Sequence, residues 1–270
     1  MSTSLPARVV GSLPAPLQTH IRDFYWRVKS RLFYQRLYEM LDLEYTLSSG
    51  LTLKVGSKGE WWTYNEIFVN GEYDEPIRTA LQSHSSARPF TVLDLGANVG
   101  HFALRAVDRI RHERRGISCD LTMVEGSANT FAVLRDRMQA QALPEVETRM
   151  LHGLVGKRTG SATIHQSAIH VKNTMFTSDG EGASVAFLDL IPLMAERNTI
   201  DLLKCDIEGA ELLFLENYGE LMAKVQNAVF ELHDLLCDVP RCIALLAQMG
   251  FRERVLCVRD TFSVRMFSRA

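Results

Sequence analysis

The stretch DLLKCDIEGAELLFLE, residues 201–216, sets three acids at the end of an apolar run. Ile200 to Cys205 reads as a buried strand, yet it empties into Asp206, Glu208 and Glu211 around Gly209. Carboxylates are costly to bury without partners, so this placement points to a task. Strand residues at i, i+2 and i+4 share a face; Lys204, Asp206 and Glu208 therefore point one way if the strand persists that far. A second apolar run, NAVFELH, ends on Glu231 and His233, again two apart. If these strands are neighbours, the acids, the lysine and the imidazole converge. Such a group can orient a hydroxyl and take its proton, and a positioned base contributes roughly 10²–10⁴-fold. His233 is the expected base, since an unperturbed imidazole titrates near neutrality. Glu231 or Asp206 orients it, and Lys204 keeps the acids ionised. Asp206, Glu208 and Glu231 are also hard oxygen donors suited to Mg²⁺. With no Asp-Asp pair or tight ligand spacing in the sequence, the metal-free arrangement is preferred. Glu211 reads more simply as an acid complementing the dipole of the next helix.

The second chemical stretch is TVLDLGANVG, which carries Asp94, Gly96, Ala97, Asn98 and Gly100. Glycines in a strand-to-helix turn let the backbone approach a ligand closely, and a carboxylate before the first glycine attracts a cation. The turn fails the G-x-G-x-x-G dinucleotide fingerprint at two of three glycines, where Asn98 and His101 stand, and no G-x-x-x-x-G-K-[ST] loop occurs. A cationic ligand without a pyrophosphate fits better, and S-adenosylmethionine is one. The following strand, LTMVEGS, ends at Glu125 and Gly126, where an acid is placed to bind ribose hydroxyls. His101 reads as a helix-start residue. His165 and His170 lie in an irregular polar stretch and are weaker candidates for acceptor contact.

These residues need a scaffold. Beyond Phe90, apolar strands alternate with helical runs: TVLDL, HFALRAVDRIRHE, DLTMVE, NTFAVLRDRMQAQA and ETRMLHGLVG. SATIH and a strand–helix, SVAFLDLIPLM, follow. Next come IDLLKCD, a helix from Ala210 to Lys224, NAVFELH, a helix over 239–249 and a closing pair, RERVLCVRD and TFSVRMFSRA. This alternation predicts a parallel sheet with helices on both faces, and the last two strands add an antiparallel hairpin at its edge. Upstream, residues 1–18 read as a loose arm. Thr19 to Tyr45 reads as an amphipathic, mildly basic helix that caps the main domain or pairs with a second copy, in preference to lying on a membrane. Leu51–Val55 and Trp61–Asn70 read as two short strands around GSKGE, and Asp74–Gln82 as a short helix. The expected division is thus an arm (1–18), an accessory helical and hairpin segment (19–85) and a catalytic domain (86–270).

Bulk composition narrows the partners. The chain has 270 residues, 46% hydrophobic and 23% charged, with a formal net charge of −2. That balance lacks the basic footprint of a nucleic-acid binder. No apolar run reaches the length of a membrane span, and the N-terminus lacks the apolar core of a signal peptide. The cysteines, at positions 119, 205, 237, 242 and 257, form no C-x-x-C pair. Five reduced thiols fit a cytoplasmic protein.

VLDLGANVGHFAL, VEGS, DLLKCDIEGAE and FELH together resemble the FkbM-type methyltransferase family, over a span from about Glu66 onward. The resemblance implies a class I, Rossmann-like methyltransferase fold with a seven-stranded sheet. It also implies S-adenosylmethionine as cofactor and a hydroxyl acceptor on a natural product or sugar. Asp94, Gly96, Asn98 and Gly100 match the family's cofactor loop, Glu125 its ribose-binding acid, and Lys204, Asp206, Glu208, Gly209 and Glu211 its second motif. Gly126–Ser127 departs from the proline often found there. Two other readings stay open: methylation of nitrogen or nucleic acid, which lacks its usual Pro-Pro turn here, and a cofactor-binding scaffold without activity.

Overall fold

Strands buried on both faces need continuous apolar sequence, and FTVLDL and IDLLKC supply it. Both are fully buried strands at the centre of the molecule. The computed structural model describes residues 35–41, 43–85, 87–164 and 183–269. In chain order, α1 (Gln35–Leu41) leads into a hairpin of β1 (Leu43–Thr46) and β2 (Thr52–Val55). Then come α2 (Lys58–Tyr64), a π-helical turn (Asn65–Val69) and α3 (Asp74–Ser83). The main alternation is β3 (Phe90–Leu95), α4 (His101–Glu113), β4 (Cys119–Glu125), α5 (Ala128–Gln139) and β5 (Val146–His152). A small pair, β6 (Ser161–Ile164) and β7 (Ala183–Ala186), precedes α6 (Leu190–Leu193) and β8 (Ile200–Cys205). The chain closes with α7 (Glu211–Asn217), α8 (Gly219–Met222), β9 (Val225–His233), α9 (Val239–Gln248), β10 (Phe251–Val258) and β11 (Phe262–Arg269).

The seven-stranded sheet has the order β10-β11-β9-β8-β3-β4-β5. β5, β4, β3, β8 and β9 run parallel, and β11 runs antiparallel to both β9 and β10. The mostly parallel sheet and its antiparallel C-terminal strands are as the sequence predicts. Strand order reverses at β3: β4 follows on one side, and β8 pairs on the other. Ligands in open sheets sit at such a reversal, beyond the carboxyl ends of the strands. The pairing of β8 with β9 makes Asp206 and Glu231 tips of adjacent strands, as the proposed chemistry requires.

Three upstream or local expectations are corrected. Trp61–Asn70 is helical, not a strand. Ser57 caps α2 by accepting from Glu60 N at 3.1 Å, so GSKGE contains a helix-start signal and is not a hairpin turn. Helical spacing then stacks Trp61 on Tyr64 at 5.6 Å and Tyr64 on Phe68 at 5.7 Å between ring centres. The hairpin forms instead between Leu43–Thr46 and Thr52–Val55, which ends the upstream helix by Leu41. The helix expected over Ala210–Lys224 is two helices broken at Tyr218, whose buried hydroxyl donates to Leu188 O at 2.7 Å. Residues 1–34, with most of the N-terminal helix and any dimer contact it makes, lie outside the described residues, as do His165 and His170.

The segment from β1 to α3 shares its core with the sheet. Leu51, Leu53, Ile67, Ile77 and Leu81 pack in one cluster with Phe90, Val92 and Leu104. Each such buried side chain contributes roughly 1.5–3 kcal/mol. Polar ties follow the same path: Arg105 grips Asp74 through two bonds of 2.7 and 2.6 Å, and Arg137 reaches Glu60 at 2.7 Å. No helix of the described residues is long and apolar enough to cross a membrane.

Candidate active site

Two loops meet at the reversal point, and one glycine permits it. Gly96 has φ +75, and a Cβ there would stand 1.7 Å from the Asp206 carbonyl oxygen. Asp206 N donates to Leu95 O at 3.1 Å, and Lys204 Nζ donates to Gly96 O at 2.8 Å. The two sequence motifs are therefore one structural unit. Asn98, at φ +50, follows in a left-handed conformation that asparagine tolerates better than most residues. Its backbone N–H donates to Glu125 Oε2 at 2.9 Å, and Ser127 N donates to Oε1 at 2.8 Å. Glu125 thus clasps the loop while each oxygen keeps a second lone pair.

A cleft opens over these loops. Gly96, Asn98, Glu125, Gly126, Asp206 and Glu208, all singled out from the sequence, line it. Its remaining wall includes Ser127, from the Gly126–Ser127 departure noted in the sequence, and Thr130, Leu154 and Ile164, which the sequence did not mark. Asp94, Ala97 and Gly100, also singled out from the sequence, stand outside this lining. Asp94 is wholly buried beneath the loop, 3.5 Å from Lys204 Nζ. Ala97 packs into the core. Gly100, at φ +91, begins α4 so close to α5 that a Cβ would lie 2.9 Å from Leu134 Cδ1. All three shape the loop from behind.

Beside the cleft the acids gather around His233. Its Nε2 lies 3.4 Å from Glu231 Oε1 and 3.6 Å from Glu208 Oε2, and its Nδ1 lies 3.8 Å from Glu211 Oε1. Asp206 Oδ2 stands 3.3 Å from Lys204 Nζ. Glu208 sits at φ +52, a conformation costly for a side-chain-bearing residue. Buried Glu211 holds that turn by accepting from Ile207 N at 3.2 Å and Gly209 N at 3.1 Å. It begins α7 as expected, with this second role as a brace that the sequence did not disclose. The strand itself stops at Cys205, so a loop aims Glu208 and strand alternation does not.

The electrostatics follow from crowding. Burial alone would lower the Lys204 pKa, but Asp206 and Asp94 lift it above the ordinary lysine range. Burial raises Asp94 to about 6, against the pull of Lys204. Burial and Asp206 raise Glu208 to about 8, and the same two causes raise Glu231. For His233, burial works downward, but Glu211, Glu231, Asp206 and Glu208 push the imidazole up to about 11. That push favours the protonated imidazole and directs the search for a proton acceptor to the carboxylates around it. Two further side chains reach the cluster from the upstream segment. Tyr73 donates to Glu231 Oε2 at 3.2 Å. Glu66, on the π-helical turn, is raised to about 7 by burial and by Glu231. The run NGEYD carried the one available signal, an aromatic flanked by acids after a glycine.

The Methyltransferase FkbM domain matches residues 94–253, from the cofactor loop past the acid cluster. The chain belongs to the FkbM methyltransferase family. It is an S-adenosylmethionine-dependent methyltransferase with a Rossmann-like, class I fold. No curated protein matches it. Among solved structures it is similar to Methyltransferase FkbM from Methylobacillus flagellatus KT, at 17% identity and TM-score 0.46, covering 71% of this chain and 46% of that one. The SAM Dependent Methyltransferase from Agrobacterium tumefaciens is similar at 12% identity and TM-score 0.47, covering 84% and 70%. The N-terminal domain of EvdMO1, solved in the presence of SAH and D-fucose, is similar at 13% identity and TM-score 0.41, covering 87% and 95%. For this FkbM protein, the cleft's donor set fits the cofactor. Glu125 offers carboxylate lone pairs for ribose hydroxyls, Gly96 and Gly126 keep side chains out of the way, and Leu154 and Ile164 supply an apolar wall.

Proposed function

We propose that this FkbM protein is an O-methyltransferase acting on a hydroxyl of a small natural product or sugar, with Asp206, Glu208, Glu231 and His233 as its acceptor site. One observation carries the reading: Asp206 and Glu208 line the same cleft as Gly96, Asn98 and Glu125, and Glu231 and His233 stand directly behind them. When bound, S-adenosylmethionine supplies an electrophilic methyl on a sulfonium. The protein's task is to align an oxygen with it and remove a proton. Alignment can supply on the order of 7–11 kcal/mol in favourable cases. Glu125 would hold the ribose hydroxyls, and the Gly96–Asn98 backbone would line the place of the rest of the cofactor. Asp206 and Glu208 flank the position of the incoming hydroxyl. Glu231, steadied by Tyr73 on one oxygen, takes the proton through the other. His233 is the cation that holds these acids together, and Lys204 does the same for Asp94 and Asp206. The formal net charge of −2 and the unpaired cysteines support a small-molecule acceptor in a reducing, cytoplasmic setting.

The test has two stages. Calorimetry with S-adenosylmethionine measures cofactor binding, and transfer of a labelled methyl is then followed across polyols, sugars, amines and oligonucleotides. Methylation of hydroxylated acceptors alone is expected. Transfer to amines or nucleic acid would reject the acceptor assignment, and tight cofactor binding without any transfer would mark a scaffold.

A further inference from the structure

We propose that Asp206, Glu208 and His233 bind a hard divalent cation, Mg²⁺ or Mn²⁺, which holds the acceptor oxygen; this rests on the acceptor-site reading above. The three side chains each offer one donor atom, and these atoms all lie within 4.8 Å of one another. Their spacing is the first argument. Charge-assisted N–H···O contacts run about 2.7–2.9 Å, and His233 Nε2 stands wider than that from both Glu231 and Glu208, at 3.4 and 3.6 Å. Two donors each about 2.1 Å from one octahedral ion stand roughly 3.0 Å apart when adjacent and 4.2 Å when opposite. The gap to Glu208 is too wide for a direct charge-assisted bond and leaves room for an ion between the two donors.

The second argument lies behind the imidazole. Nδ1 is sealed from solvent without a hydrogen-bond partner, and the wholly buried Glu211 carboxylate faces it at 3.8 Å with its own Oε2 also unmatched. A carboxylate behind the distal nitrogen is the usual partner of a metal-ligating histidine. The negative charge of Glu211 favours the proton on that nitrogen, and the ion would take the place of the proton that the cationic imidazole otherwise carries on Nε2. Here that arrangement turns Nε2 toward Glu208 and Glu231. The donors also stand on adjacent strand ends, β8 and β9, and Glu211 locks the Glu208 turn. Oxygen donors with one imidazole select a hard or borderline ion over a thiophilic one. Such an ion eases loss of the hydroxyl proton. The proton passes to Glu231, the oxygen–carbon bond forms as the carbon–sulfur bond breaks, and the sulfur keeps the electron pair.

Mn²⁺ is the probe. The full chain, stripped with chelator, is titrated with Mn²⁺ alone, and loss of the free-ion electron paramagnetic resonance signal is read beside calorimetry. One site of micromolar affinity is expected. Glu208→Gln and His233→Gln should weaken it about tenfold or more, whereas Glu216→Gln on the exposed face of α7 should not. S-adenosylmethionine binding and thermal melts verify that each variant is folded, and Asp206→Asn replaces any that is not. No Mn²⁺ binding at millimolar concentration, or equal binding in the folded variants, overturns the site. Hydroxyl methylation undiminished by chelator also overturns it while leaving the O-methyltransferase reading intact. Stoichiometric Mn²⁺ binding without hydroxyl methylation has the reverse meaning.

Discussion

At Gly96 the absence of one methyl group decides whether two loops touch. The residue needs both a positive φ and room for the Asp206 carbonyl. Gly96→Ala should therefore shift the Asp206 loop and cost at least about 2 kcal/mol of stability. Thermal melts should show the loss, and calorimetry should show S-adenosylmethionine affinity falling at least tenfold. Lys204 poses the opposite case, a buried cation between two acids. Lys204→Met leaves Asp94 and Asp206 without their counter-charge, and breaking such a buried pairing costs roughly 3–5 kcal/mol. Urea unfolding at neutral pH measures it. In the acceptor cluster, Glu231→Gln removes the proposed proton acceptor while keeping a group for the Tyr73 bond. We expect turnover at least a hundredfold lower with cofactor affinity unchanged. Wild-type turnover would exclude Glu231 from that role.

At the scale of elements, α4 shows how a local rule is overridden. Its first residue, His101, is buried with Nδ1 at 3.1 Å from Thr63 Oγ1 on α2 and Nε2 at 3.2 Å from Lys54 O on β2. Burial lowers its pKa from 6.5 to about 4. The unfolded chain therefore takes up a proton at higher pH than the folded one does. Between about pH 6.5 and 4 the unfolded state binds more protons, so stability falls as the solution is acidified through that window. The drop is on the order of 3 kcal/mol from this residue. Urea unfolding at pH 7, 5.5 and 4.5 should show a shallower decline in His101→Gln than in the wild type. Equal slopes would mean that the imidazole is not held neutral. The bond to Thr63 and the edge-on packing of Phe68 against the His101 ring, 6.2 Å between centres, hold α2 and the π-helical turn against α4. They also bring Glu66 and Tyr73 to the acid cluster, so the upstream segment builds part of the site it covers.

For the whole molecule, the shared core makes a clear claim. Leu51, Leu53, Ile67, Tyr73, Ile77 and Leu81 pack directly with Phe90, Val92 and Phe102. A chain of residues 86–270, although it spans every strand of the main sheet, should expose that face and fail to stay monomeric and folded. Size-exclusion chromatography and circular dichroism check this; a soluble, cooperatively melting fragment would show that the segment is dispensable. The mostly parallel sheet and its antiparallel C-terminal strands were legible because βα alternation and short connections leave few topologies. The upstream segment was not. Its aromatic residues carry strand propensity, while the Ser57 cap and tertiary stacking favour helix, and packing outweighs propensity where the two disagree.

The sequence by itself determined the strand alternation, the family signature and the placing of acids at the ends of two apolar strands. Those features repeat with fixed local periods and need no knowledge of distant contacts. Only the tertiary structure decided that Asp94, Ala97 and Gly100 stand behind the cofactor loop, because a turn's outward and inward faces depend on what packs beneath it. It likewise decided the surroundings of His233. An imidazole's charge is set by the carboxylates around it, and Glu208, Glu211 and Glu231 come from separate turns and strands that only folding brings within 4 Å of the ring.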